Sequence, residues 1–438
     1  MRTFILASAF ATSALLARAQ SRDAVSEVTV RRVLTTLAAD DMQGRASGQP
    51  GSLKAAEFLA SEFQRIGLQP LPGAANFLQE FPAYQTTLTS LAVTLDGTPV
   101  PAAQAFALTT QPQLAWTEQD SVRVLVLGPG EKVQPHYREL FRPAKNTLVL
   151  FDPAQAAAFQ TLVKQAKQPR LRATQGAGVA SSVWVLAPAT PAATASFRVA
   201  ATTTTATVLL RNVAGYLPGR KAARKAESVI FSGHYDHLGI VKPAVNGDSI
   251  ANGADDDASG TTAVVALAEY FKKRRDNARS LIFVAFTAEE IGGFGSQYFS
   301  RQLAPKNLVA MFNIEMIGKP AKFGPATAFI TGYDKSDFGQ LLQANLQGSP
   351  FRFEPDPYPE QNLFYRSDNA TLAKLGVPAH TISTDQIPTD KLYHSVGDEV
   401  SSLDLPNMTA VISAIARSAS GIVAGRQTPT RVAPEKEN

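Results

Sequence analysis

Imidazole and carboxylate side chains recur in this sequence at the ends of short apolar runs. ESVIFSG (227–233) leads into His234, Tyr235, Asp236 and His237, and NGADDDASG (252–260) sets Asp255, Asp256 and Asp257 side by side. SLIFVAFT (280–287) leads into Ala288, Glu289 and Glu290, and VAMFNI (309–314) into Glu315. KLYHSVGDE (391–399) then holds Tyr393, His394 and Asp398. The chain has five histidines, so finding three in these motifs is not a scatter. Adjacent carboxylates repel one another, more so where water is excluded. Helix capping accounts for one or two of the aspartates, because Asp and Ser accept hydrogen bonds from the free amides of a helix start. Three in a row point to a cation. Taken singly each motif is weak, since a lone strand-end histidine is more often structural and a Glu-Glu pair is usually solvated surface. Together they offer nitrogen and oxygen donors at successive strand ends, a set that suits Zn²⁺, with Co²⁺ or Mn²⁺ as substitutes. Five donors, one of them able to bridge, suggest two metals about 3.5–4 Å apart.

The chain's texture indicates the elements that must position these residues. From Val208 onward strand-like and helix-like runs alternate: ESVIFSG, the helical TTAVVALAEYFKKR (261–274), SLIFVAFT and VAMFNIEMIG (309–318). This alternation predicts an α/β fold, a mixed, mostly parallel twisted sheet with helices on both faces and functional residues just beyond the strand ends. Upstream, Val25–Leu37 and Ser52–Ile66 carry helical spacing of apolar residues. From about Leu88 the texture changes to VRVLVLG (122–128), TLVLF (147–151) and SVWVLA (182–187), with one helix-like piece over Ala154–Gln168. Thr/Ala-rich stretches such as ATTTTAT (201–207) read as linkers. The expected division is a signal peptide over 1–19, an N-terminal helical part of the catalytic domain over 20–87 and an inserted β-rich domain over 88–204. The catalytic domain resumes over 205–425, and a disordered tail fills 426–438.

The 438 residues are 45% hydrophobic, with a mean hydropathy of −0.06, which describes an ordinary globular chain able to bury a large core. Net charge is +5, but Lys and Arg are scattered rather than striped, so no nucleic-acid partner is expected. Arg2, the apolar run from Phe4 to Leu16 and Ala17-Arg18-Ala19 predict a secretory signal cleaved before Gln20, and hence export to a periplasm or secretion. That run is too short for a permanent span, and no later stretch reads as one, so no stable membrane anchor is expected. The absence of cysteine leaves stability to the core rather than to disulfides. Nothing in the sequence marks an oligomeric state.

GHYDHLG (233–239), NGADDDASG, FTAEEIGGFGS (286–296), NIEMIG (313–318), RSDNATLAKLGVPA (366–379) and YHSVGD (393–398) form, in this order, a highly specific set. As a set they resemble the M28 zinc aminopeptidases, a family of co-catalytic metallo-exopeptidases. The resemblance extends to RNVAGYLPG (211–219) and to 41–70, covering Asp41–Gln85 and about Val208–Ala424. The insert is left out, in the place where many relatives carry a protease-associated domain. By position, the resemblance implies that His234 and Glu315 bind one zinc, Glu290 and His394 the other, and Asp256 bridges both. It makes Glu289 the general base, Tyr393 the group steadying the oxyanion, and Arg366 a substrate contact. Asp236 would orient the His234 imidazole, and Asp398 that of His394. Asp255 and Asp257 are then caps rather than ligands, and the Asp256–Asp257 peptide is cis. The implied activity is removal of N-terminal residues from peptides with a free N-terminus. A carboxypeptidase or dipeptidase on the same dinuclear site, and a single-zinc glutaminyl cyclase, are the alternatives. Two positions depart from the pattern. Glu315 stands where the better-known relatives carry Asp, and Asn369 follows RSD where a histidine or aromatic is common, which bears on the pocket wall.

Overall fold

The structure, a computed structural model, describes residues 24–168, 170–176, 179–188 and 196–434. The expected signal peptide lies outside the described residues. These fall into two units, one of 24–81 with 210–434 and one of 82–209. The chain passes between them along two long strands, β1 (Leu78–Leu95) and β2 (Phe197–Leu217).

In the first unit, three unbroken apolar runs become strands β3 (Ser228–His234), β4 (Ser280–Phe286) and β5 (Leu308–Ile314). Apolar residues at consecutive positions are what a strand covered on both faces requires. Successive side chains accordingly enter opposite layers. Val229, Phe231, Leu281, Phe283 and Phe312 face one core cluster, and Ile230, Ile282, Val284 and Met311 the other. Phe231 stacks on Phe283 and Phe312 with ring centroids 5.4 and 4.9 Å apart. The sheet is completed by β6 (Thr327–Ile330), β7 (Arg352–Pro355) and β8 (Ala379–Ser383). Over this part the order is β7-β6-β8-β5-β3-β4-β2, and the sheet of eleven strands continues from β2 to β1. The β8, β5, β3 and β4 strands are mutually parallel, whereas β6 on β8 and β2 on β4 are antiparallel. This is the mixed, mostly parallel sheet expected.

Helices α1 (Glu27–Leu37), α2 (Pro50–Ile66), α3 (Gly260–Arg274) and α4 (Leu405–Ser418) cover the larger core cluster. Ser26 caps α1 by accepting from the Thr29 amide, and α2 opens on Pro50 and stops at Gly67 in the left-handed conformation, the usual asymmetry of helix ends. Every residue of α3 from Gly260 to Phe271 is buried, so its place is set by packing rather than by an exposed face. The segment after Thr428, read from the sequence as disordered, runs along this unit as far as it is described. Arg279 donates to the Thr428 hydroxyl, Thr430 binds Asp337, and Val432 is buried in the second core cluster. One valine and a few paired polar groups suffice to seat a polar-looking tail.

The second unit holds a four-stranded sheet in the order Ala105–Leu108, Ser182–Leu186, Thr147–Phe151, Arg123–Leu127. Helix Ala156–Ala166 packs Phe159, Leu162 and Val163 against Phe151 and Trp184. The ATTTTAT stretch, read as a linker, is instead part of β2, where Ala201 and Thr202 pair with Leu114 and Gln113. Threonine is β-branched and suits a strand; its low hydrophobicity hid that preference.

Candidate metal centre

Because β3, β4 and β5 are parallel, their carboxyl ends share one edge of the sheet, and the residues just past each strand converge there. The last residue of β3 is His234. Beyond β4 come Ala288, Glu289 and Glu290, and beyond β5 comes Glu315. Three non-glycine residues in this rim adopt positive φ: Ala288 at 62°, Met316 at 52° and His394 at 55°. Such backbone is costly and clusters at functional sites. Here each either carries or adjoins a candidate donor.

The aspartate triplet divides its work. Asp257 accepts hydrogen bonds from the amides of His234, Gly260 and Met316, tying the ends of β3, β5 and α3 together. Asp255 accepts from the Gly318 amide at 2.7 Å and pairs with Lys319. Both outer acids are therefore structural. The middle one, Asp256, is turned to the imidazoles, and the Asp256–Asp257 peptide is cis. Gly260 allows this fit, since a Cβ there would stand 2.0 Å from the Ile314 carbonyl. Beneath the loop lies Arg45, fully buried, donating to the carbonyls of Leu37, Tyr235, Asn252 and Gly253.

The donor geometry is tight. Oδ1 of Asp256 is 3.2 Å from His234 Nε2, and Oδ2 is 3.2 Å from His394 Nε2. Glu290 reaches His394 Nε2 at 3.1 Å with Oε2 and His237 Nδ1 at 2.8 Å with Oε1. Burial alone would raise the Asp256 carboxyl, but hydrogen bonding to His234 and His394 overrides it and holds the group far below the ordinary range. Glu290 behaves in the same way: burial and Asp256 push it up, and His237 and His394 bring it below its usual value. His394, despite burial, is raised to about 10 by Asp256 and Glu290. Glu289 differs. Burial, reinforced by Glu315, Asp368 and Glu290, holds its carboxyl well above the carboxylate range. His237 Nε2 and Glu315 Oε2 are buried without a hydrogen-bond partner. Orphaned donors of these types around an acidic bridge fit a divalent cation, which would satisfy them and offset the carboxylate repulsion.

Most of the sequence-derived site residues line one cleft, with His234 buried behind Asp256. Asp256, Glu289, Glu290, Glu315, Tyr393 and His394 share this cleft with Arg366, which is exposed. The Tyr393 ring stacks on His394 at 3.9 Å. Three assignments need correction. The carboxylate of Asp236 does not orient His234: it lies 3.8 Å from Nδ1, and it is the Asp236 backbone carbonyl that meets Nδ1 at 3.1 Å. The carboxylate instead accepts from the Glu289 amide and the Ser47 hydroxyl, so it positions the Glu289 turn. Asp398 accepts from the amides of Asp255 and Asp256 and so positions the bridging acid rather than His394. Asn369 is no pocket wall: fully buried, it donates to the carbonyls of Phe364 and Ala379. One residue was missed. His237 stands with Asp256 and Glu290 as a possible ligand group, and the signal was there in the His-x-x-His spacing after β3.

A carboxylate–imidazole centre at the carboxyl edge of a mostly parallel sheet defines the zinc-exopeptidase type of α/β fold. The model of peptidase family M28 matches residues 212–419 of this chain. Over 113 residues the chain is 34% identical to a probable zinc metalloprotease of Pyricularia oryzae, covering 25% of this chain and 22% of that protein. Over 196 residues it is 26% identical to leucine aminopeptidase 1 of Ajellomyces capsulatus, covering 42% and 49%. The chain spans under half the length of the curated relatives it matches. Among solved structures, an aminopeptidase from Aneurinibacillus sp. strain AM-1 shares the fold with a TM-score of 0.54 at 18% identity, covering 95% of this chain and 98% of that one.

Proposed function

We propose that this protein is an exported aminopeptidase that removes N-terminal residues from peptides with two zinc ions and a glutamate base. The observation that carries the reading is Asp256, buried and with one oxygen 3.2 Å from an imidazole on each side. A carboxylate so placed suits the bridge of a two-cation centre. His234 and Glu315 would hold one zinc, and His394 and Glu290 the other, with His237 behind Glu290. The zinc metalloprotease and leucine aminopeptidase named above support the metal and the activity. Bound there, zinc supplies Lewis-acid polarisation of the scissile carbonyl and lowers the pKa of the attacking water.

The chain's own groups do the rest. Glu289, turned into the cleft by the Asp236 contact to its amide, accepts a proton from the water as its oxygen bonds to the carbonyl carbon. It returns that proton to the amine as the C–N bond breaks. Positive charge beside Glu289 would draw its raised pKa back toward the working range. Tyr393, on the same cleft wall, donates its hydroxyl to the developing oxyanion. Export rests on the pattern of Arg2, Phe4–Leu16 and Ala17–Ala19, and a mature N-terminus at Gln20 would support it. Hydrolysis of leucine p-nitroanilide, abolished by a chelator and restored by zinc, is the expected result for the activity. Cleavage that survives metal removal, or release of ammonia from a Gln-initiated peptide without chain cleavage, would contradict it.

A further inference from the structure

The cleft has a second wall, opposite in character to the donor set. Thr381 and Ser383 of β8, then Asp385 and Ile387 beyond it, line the cavity together with Phe329. Asp385 is only 4% exposed, and neither of its carboxylate oxygens has a hydrogen-bond partner. Asp255 and Asp390 each bring an oxygen within 4.8 Å of it. Those two acids are compensated by Lys319, whose ammonium stands 3.2 Å from Asp255 and 2.6 Å from Asp390. Among the described residues no cation pairs with Asp385. A buried acid with no cation beside it holds its proton instead of its charge, and one that lines a binding cleft gains a counter-charge most directly from what enters the cleft. A bare metal ion fits poorly, because Lys319 already supplies the positive charge between the neighbouring acids. A cation on an apolar stem fits well, since Phe329, Ile387 and Met316 flank the approach.

We propose that Asp385 is a specificity-determining residue that selects peptides whose N-terminal residue is lysine or arginine. The stem of that side chain would lie along Phe329 and Ile387, and its ammonium or guanidinium would meet the Asp385 carboxylate. Burial first, then Asp255 and Asp390, push this carboxyl up to about 8, and an arriving cation reverses that balance. Arg366, on the exposed side of the cleft, is the feature that would instead favour an acidic side chain. The proposal rests on the aminopeptidase reading.

The experiment is a kcat/KM series on the p-nitroanilides of Arg, Lys, Leu and Glu, using the zinc-loaded full chain, Asp385→Asn and Asp385→Glu. The wild type should favour Arg and Lys over Leu by about tenfold or more, the scale set by one charged contact in a pocket. Asp385→Asn should lower the Arg/Leu ratio by about tenfold, mostly through KM, and Asp385→Glu should keep part of it. A wild-type enzyme that cleaves Leu or Glu best, or an Arg/Leu ratio unmoved by Asp385→Asn, would overturn the role of Asp385 alone. Failure of the zinc-loaded wild type to cleave any of the four would overturn the aminopeptidase reading, and this role with it.

Discussion

Asp256 is the residue on which the centre turns, and its neighbours explain why three adjacent acids are tolerated. Asp255 and Asp257 spend their oxygens on backbone amides and Lys319, so only the middle carboxylate is left facing the imidazoles. Glu289 and Glu290 divide similarly, Glu290 toward His237 and His394 and Glu289 into the cleft. Glu289→Gln, nearly isosteric, should therefore leave zinc content intact and lower kcat by about 10²–10⁴-fold, the usual contribution of a positioned base. Unchanged turnover would show that another group takes the proton. His237 holds Glu290 from behind with Nδ1 at 2.8 Å. His237→Ala should weaken zinc retention about 10–100-fold in chelator competition, the range for partners that orient a ligand. Full retention would make that imidazole a packing residue. Residue types at the site were legible because donors cluster at strand ends. Which atom acts was not: Asp236 uses its carbonyl toward His234 and its carboxylate elsewhere, and no spacing rule separates the two.

At the scale of elements, β3, β4 and β5 were legible because each is a continuous apolar run; β3 and β4 end within a residue of the pattern, whereas the run VAMFNIEMIG (309–318) extends four residues past the end of β5. The β2 strand was not, since its threonines carry strand preference without the hydrophobicity that usually announces it. The short β8 strand shows what burial does to a titratable group. His380, fully buried on β8, is held by the Ser336 hydroxyl at 2.7 Å and the Thr331 carbonyl at 2.9 Å and stacks on Phe338 at 4.8 Å. Burial lowers its pKa to about 4, whereas an unfolded histidine titrates near 6.5. Above that value both states are neutral and His380 adds no pH dependence. As pH falls from about 6.5 to about 4, only the unfolded chain takes up the proton, and the fold loses about 3 kcal/mol. The urea midpoint should drop over that window, and the drop should be smaller in His380→Gln. An equal drop in the variant would assign the acid sensitivity to other groups.

For the whole molecule, the α/β unit brings five sequence-distant segments to one edge of its sheet; parallel pairing places the ends of β3, β4 and β5 there, and Asp257 and Asp398 tie in the loop that carries Asp256. Each crossover returns the chain so that strand ends, and the residues after them, meet on the same side. Among the described residues, the donors of the centre all come from 210–434. The arrival of the separate β-rich unit between β1 and β2 was visible as a change of texture, but its boundaries depended on the long strands that cross them. The central claim is a two-zinc centre bridged by Asp256, with one imidazole for each ion. Metal content of the purified wild type, His234→Ala and His394→Ala, measured by plasma mass spectrometry after dialysis against zinc-free buffer, tests it most directly. Two zinc ions per chain in the wild type and about one in each variant, as expected when a three-ligand site loses a member, would bear it out. One zinc in the wild type, or two in either variant, would contradict it.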